Sequence, residues 1–202
     1  MSYVDSLPDV VVRKAANADI PAVVGLHFRV LSSSLNSSFG MKHLSYIYSA
    51  LLADSESAVM IAKVNDQCVG VASATMCPGN VRRLLVRRLS MKAWTILVVR
   101  VLSRPRLLYQ WLRDRVTVAL VMYKGMAIDA CLTTLAVEES VRNRGIGSVL
   151  LESIETFFRE KGSYAYRVDT VESNEQARLF YRWKGFVEIE HRGQHVMLVK
   201  LL

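Results

Sequence analysis

Arg142-Asn143-Arg144-Gly145-Ile146-Gly147 combines two glycines with two arginines in six residues. The glycines let backbone N–H groups approach an anion that a Cβ would keep away, and the arginines add full positive charge. Before this turn lies an apolar run, Leu132 to Val137, that reads as a buried strand. After it, from Ser148, Leu150, Leu151, Ile154, Phe157 and Phe158 share one helical face, and Lys161 and Gly162 mark the stop. A helix starting here adds the positive end of its dipole, so Arg142 to Ser148 form a place to hold a diphosphate. The same residues also fit a plain basic turn, and the turn alone does not decide between the two.

A second segment, Asn174 to Phe186, follows at a suitable distance. Ser173 and Gln176 fit a capping box, Gly185 is a C-terminal stop, and Ala177, Phe180 and Tyr181 fall on one side of the predicted helix. Together the two segments, which cover about the last third of the chain, resemble the GNAT superfamily of acetyl-CoA-dependent N-acetyltransferases. The first matches the family's Arg/Gln-x-x-Gly-x-Gly/Ala turn after its fourth strand, and the second its Asn-x-x-Ala-x-x-x-Tyr-x-x-x-Gly-Phe segment.

The resemblance implies a cofactor site. Arg142, Asn143, Arg144, Gly145, Ile146, Gly147 and Ser148 would cradle the diphosphate of coenzyme A. The strand residues Leu135, Ala136 and Val137 would lie along its pantetheine arm, with the backbone of Leu135 and Val137 pairing as another strand would. Asn174, Ala177, Phe180 and Tyr181 would flank that arm and the thioester. Tyr181 is the candidate general acid for the departing thiolate. A thiol of pKa about 8.5 accepting from a phenol of pKa about 10 makes the transfer uphill by about 2 kcal/mol in water, within reach of a catalytic step. The alternative for Tyr181 is packing against the cofactor, and for Asn174 it is helix capping.

The proton acceptor for the amine is less well marked. Many family members carry a Glu on the fourth strand, and Cys131 stands at the comparable position here. Asp129, two residues earlier and expected on the same side, is the candidate base, acting through water. Glu172 and His27 are other candidates, although His27 also fits the edge of a core; Glu138 and Glu139 read as solvated loop residues. No spacing of Cys, His, Asp or Glu suggests a metal site.

The elements that must position these groups follow from pattern. Val10 to Arg13 reads as a strand. Asn17, Asp19 and Pro21 open a helix carrying Ile20, Val23, Val24, His27 and Leu31, and Met41 to Leu52 forms another. The Ser/Asn-rich stretch from Ser32 to Ser38 between them reads as a loop. Ala58 to Val64 and Cys68 to Thr75, joined at Asn65-Asp66, predict a hairpin. Val116 to Tyr123 reads as strand, followed by a turn near Lys124-Gly125 and the fourth family strand from Ile128; Arg167 to Val171, Val187 to Ile189 and His195 to Leu201 complete the set. The order agrees with what the resemblance implies, an α/β (α+β) GNAT fold with a central mixed, mostly antiparallel sheet flanked by helices, expected as a single domain over 1–202.

Between the third and fourth family strands, 80–116 forms a basic helical insertion broken near Pro105. It holds ten arginines and lysines against Asp114, so the chain's net charge of +8 is concentrated there. Three roles are open: a solvated cover or homodimer contact, a clamp for an anionic acceptor, or peripheral contact with an anionic membrane, for which Trp94 and Trp111 are suited. Nucleic acid is disfavoured, since the basic stretch lacks a reading module. No apolar run reaches the ~20 residues of a membrane span. The N-terminus, with Asp5, Pro8 and Asp9, lacks a signal-peptide pattern. Cys68, Cys77 and Cys131 suit a reducing cytoplasm. The expected activity is transfer of acetyl from acetyl-CoA to a primary amine of a small-molecule acceptor, such as an amino sugar or its nucleotide-linked form, by direct attack in a ternary complex. The rival expectation is a non-catalytic acyl-CoA sensor or membrane-associated scaffold using the same pocket.

Overall fold

The computed structural model describes residues 10–32, 34–81, 83, 122–123 and 125–202. Almost all of the basic insertion, with its two expected helices, lies outside these residues, as does most of the strand expected from Val116.

Seven strands form one sheet: β1 (Val11–Lys14), β2 (Ser57–Val64), β3 (Gln67–Thr75), β6 (Cys131–Val137), β7 (Ala165–Val171), β8 (Val187–Arg192) and β9 (His195–Leu201), in the spatial order β1-β2-β3-β6-β7-β9-β8. A separate short hairpin pairs β4 (Met122–Tyr123) with β5 (Met126–Ala127). Every neighbouring pair in the large sheet is antiparallel except β6 with β7. The β2–β3 turn is the two-residue hairpin expected from Asn65-Asp66, with φ of 47° and 60°. Asn and Asp tolerate this left-handed conformation, whose twist matches the flanking strands.

Helices cover both faces. On one side α1 (Ile20–Val30) and α3 (Met41–Ala53) bury Val23, Val24, Leu26, Leu44, Tyr48 and Leu51 against Val59, Ile61, Val71 and Ala136 of the sheet. On the other, α4 (Ile146–Glu160) lays Leu150, Leu151, Ile154 and Phe158 on Ala62, Ala72, Leu132, Tyr166 and Val168. The periodic apolar positions of α4 are therefore its buried face, as their spacing requires. The last helix, α5 (Glu175–Trp183), adds Tyr181 to the α4 side. The stretch expected as loop from Ser32 contains a short helix, α2 (Leu35–Ser38), capped by Ser34 Oγ, which accepts the Ser37 N–H at 3.2 Å.

Candidate active site

β6 and β7 pair at only two positions, Cys131 with Arg167 and Leu132 with Val168. β6 continues to Val137 and β7 to Val171, so beyond this contact the strands part and leave a V-shaped opening. β6 stays paired with β3 along its other edge, interrupted by a bulge near Ser73. There Thr133 Oγ1 lies 2.7 Å from Ser73 Oγ and donates to the Ser73 carbonyl at 3.0 Å. A bulge re-aims the strand that carries it. The Glu138 N–H donates to Val69 O on β3 at 2.8 Å. Successive peptide groups alternate in direction, so Leu135 and Val137 present theirs to the opening. Val137 O accepts from Arg142 Nε at 3.1 Å, which folds the arginine back over the mouth.

The turn at that mouth is built for a close approach. Asn143 and Gly145 both have left-handed backbone, with φ of 61° and 80°. A Cβ built on Gly145 would meet nothing within 4 Å, so the space above it is open. α4 starts at Ile146, two residues before the expected Ser148, with Gly145 as its N-cap and no capping side chain. The first N–H groups of the helix have no partner within it and point outward with the dipole. Arg142, Asn143, Arg144 and Gly145 are exposed, Gly147 and Ser148 half-buried, and Ile146 anchors the turn in the core at 3% exposure. Arg29 on α1 ties the approach to the turn through a 2.7 Å ion pair with Glu138.

α5 closes the other wall. Its N-cap is Asn174, whose Oδ1 accepts the Ala177 N–H at 3.2 Å; the expected Ser173 capping box does not form. Asn174 wins because its side chain reaches the free N–H of the first turn from one residue closer. At the other end Gly185 takes φ +86° as expected. On the helix face that turns toward β8, Arg178 grips Glu188 with two hydrogen bonds of 2.9 and 3.0 Å, and Arg182 adds a third at 2.9 Å. Arg178 beside it holds the Glu188 carboxyl below its usual range, against some desolvation. This clamp fixes the rotation of α5 and hence the aim of Tyr181 and Phe180. The Phe180 ring edge lies 3.6 Å from where a Gly147 Cβ would be, which brings the two expected segments together.

Tyr181 is buried between the rings of Phe180 and Phe186, with centroids at 5.5 and 5.1 Å. Burial raises its phenol well above the ordinary value, so the group stays protonated through the neutral range. Asp129 is exposed, just ahead of β6 and between buried Ile128 and Ala130, whereas Cys131 is buried. Burial pushes the Cys131 thiol up to about 12, which removes it as a base or nucleophile at neutral pH. Glu172 is exposed, and His27 is buried under α1 with its Nδ1 2.8 Å from the Tyr48 hydroxyl. His27 therefore belongs to the core.

Two groups escaped the sequence reading. Arg167 and Asp169 alternate along β7 onto the face opposite α4, joined by a 2.9 Å ion pair. Arg167 is only 6% exposed and its Nε has no partner among the described residues. The signal was a pair of charged residues two apart inside a strand that is otherwise apolar at its start. Among the described residues no group of His, Cys, Asp or Glu is arranged to hold a metal, and no helix is long and apolar enough to cross a membrane.

A profile of the acetyltransferase (GNAT) family matches residues 87–186. Among solved structures, the PaiA N-acetyltransferase of Thermoplasma acidophilum in complex with coenzyme A is similar at a TM-score of 0.63 and 12% identity, over 96% of this chain and 99% of that one. The aminoglycoside N-acetyltransferase AAC(6')-Iy in complex with CoA has a TM-score of 0.62 at 15% identity, over 93% and 94% of the two chains. The ribosomal-protein-alanine N-acetyltransferase of Brucella melitensis has a TM-score of 0.60 at 17% identity, over 95% and 99%. At these identities the structural likeness establishes the fold. A search of curated proteins found no match.

Proposed function

The chain belongs to the acetyltransferase (GNAT) family and is an acyltransferase, and on that premise we propose that it moves the acetyl group of acetyl-CoA to a primary amine of a small-molecule acceptor, as one domain over residues 1–202. The observation that carries the reading is the V-shaped opening of β6 and β7, with the peptide groups of Leu135 and Val137 turned toward it and an open, positively charged helix start at its mouth. The residues present fit coenzyme A. Its diphosphate suits the N–H groups of the α4 first turn with Arg142 and Arg144, and the open space over Gly145 admits it. Its pantetheine arm suits the edge of Leu135, Ala136 and Val137, with Asn174, Ala177 and Phe180 as the opposite wall.

The cofactor supplies an activated acetyl group as a thioester. This chain's residues do the rest. A backbone N–H on the free edge of β6 stabilises the charge that develops on the carbonyl oxygen. Tyr181, kept protonated by its burial, donates its proton to the departing sulfur. Asp129, exposed just ahead of β6, passes the amine's proton on to solvent through water. With Cys131 buried and its thiol pushed up, the acceptor nitrogen attacks directly, without an acyl-enzyme stage.

The test is an amine screen with purified protein and acetyl-CoA, reading free thiol. Glucosamine, a nucleotide-linked amino sugar and an alanine-initiated peptide cover the acceptor classes, the last suggested by the Brucella melitensis structure. Thiol release that depends on an amine, with the acetylated product seen by mass spectrometry, is the expected result. Thiol release that no amine alters would contradict it.

A further inference from the structure

The mechanism so far leaves the amine's first proton without a direct acceptor at the point of attack. Asp169 stands at that point. It is the first residue of β7 past its last pairing with β6, Leu132 with Val168, and so lies at the apex of the opening. Coenzyme A bound at the α4 mouth and running along Val137 and Leu135 would bring its thioester to this apex. Side chains on β7 alternate: Tyr166 and Val168 pack on the α4 side, and Arg167 and Asp169 face the opposite side. Tyr181 is on the α4 side. The two groups thus flank the reacting centre from opposite faces of the sheet, as one must if it serves the entering nitrogen and the other the leaving sulfur.

We propose that Asp169, oriented by Arg167, receives the acceptor's ammonium group and takes its proton as the nitrogen attacks; this rests on the acetyl-transfer reading above. Asp169 takes the first ammonium proton, which frees the lone pair. The neutral nitrogen then bonds to the acetyl carbon, the carbon–sulfur bond breaks and Tyr181 protonates the sulfur. The second proton on the nitrogen passes through water to restore the Tyr181 phenol, and Asp169 gives its acquired proton to solvent. Arg167 holds Asp169 Oδ2 at 2.9 Å from its Nη1 while it is itself buried, so the carboxylate is fixed in one pose. The titratable and charged groups around Asp169 are Cys131 on β6, Arg167 on β7, His195 on β9, and Arg192 and Glu190 on β8. Desolvation raises the Asp169 carboxyl above its usual range, against the pull of Arg167, His195 and Arg192. A carboxylate with higher proton affinity is a stronger base. Its side chain keeps 29% exposure, enough for a substrate to reach it.

The test compares wild type with Asp169→Asn, Asp169→Glu and Asp129→Asn, using acetyl-CoA with glucosamine and with the alanine-initiated peptide. Asp169→Asn should lower turnover about 100-fold at neutral pH, with coenzyme A affinity by calorimetry unchanged. The deficit should shrink as pH rises, because an amine already neutral needs no proton acceptor. Asp169→Glu should recover part of the loss, which a merely structural role would not allow. Should Asp169→Asn not fold, the wild-type profile decides: turnover must fall on acidification with an inflection that moves in Arg167→Lys. Wild-type turnover and pH dependence in Asp169→Asn, a flat acidic limb in wild type, or a larger loss in Asp129→Asn would overturn the assignment. Failure of both amines to release thiol would overturn the transferase reading, and this assignment with it.

Discussion

Tyr181 and His27 are both buried polar side chains, and burial acts on them in opposite ways. Burial makes the Tyr181 phenol a weaker acid, and in the role proposed for it the same dry surroundings would disfavour the sulfur anion it protonates. Tyr181→Phe should therefore lower turnover by about 100-fold with coenzyme A affinity intact, measured by steady-state kinetics beside calorimetry. His27, only 4% exposed, is lowered by desolvation from 6.5 to about 4, and its Nε2 lacks a partner among the described residues. Its folded-state value lies below its unfolded one, so the stability linked to the neutral ring is complete above pH 6.5 and is lost as pH falls toward 4. The loss should reach about 3 kcal/mol, seen as a melting temperature that drops over this window in wild type and drops less in His27→Gln. At this scale the turn at Gly145 and the placement of Tyr181 on one face of its helix were legible in sequence because their types and spacing are restrictive. Asp169 was not, because nothing in sequence tells which face of β7 looks into an opening. Asp129 was chosen by alternation from Cys131, yet it precedes the strand and lies exposed.

Elements were legible wherever periodicity or a turn residue had a single mechanical reading. The β2–β3 hairpin, the buried face of α4 and the stop at Gly185 are of this kind. Boundaries set by competing caps were not: α4 begins two residues early because left-handed Gly145 ends the turn, and α5 is capped by Asn174 in place of Ser173. The parting of β6 and β7 depends on register between strands far apart in the chain, which no local pattern encodes. The family resemblance implied that Leu135 and Val137 would pair with the pantetheine arm as another strand would. The seat of α4 on the sheet is tight at Gly70. A Cβ there would lie 2.8 Å from Leu150 Cδ1, 3.2 Å from Ile146 Cγ2 and 3.3 Å from the Ala62 Cβ. Because Leu150 is fully buried and Ile146 anchors the start of α4, Gly70→Ala should cost about 1–3 kcal/mol. Equilibrium unfolding in urea would check this, and coenzyme A affinity should fall too as the mouth shifts.

At the scale of the whole molecule, the two faces of the sheet divide the work. In the mechanism proposed above, the α4 and α5 side would carry the cofactor turn and the proton donor, and the side shared with α1 and α3 would carry Asp169 and the approach for an acceptor. The basic insertion, with ten arginines and lysines against Asp114, more than accounts for the net charge of +8, and it precedes β4 and β5 in the chain. Tyr123 of β4 packs beside Ile128, Ala165 and Val199. The central claim nevertheless concerns the cofactor alone: the open start of α4 and the free edge of β6 hold coenzyme A. Thermal unfolding in increasing coenzyme A tests it most directly. A ligand at 100 times its Kd adds about 2.7 kcal/mol, so the melting temperature should rise by about 5–10 °C for a chain of this size. A melting temperature that stays fixed across the whole titration would contradict the claim.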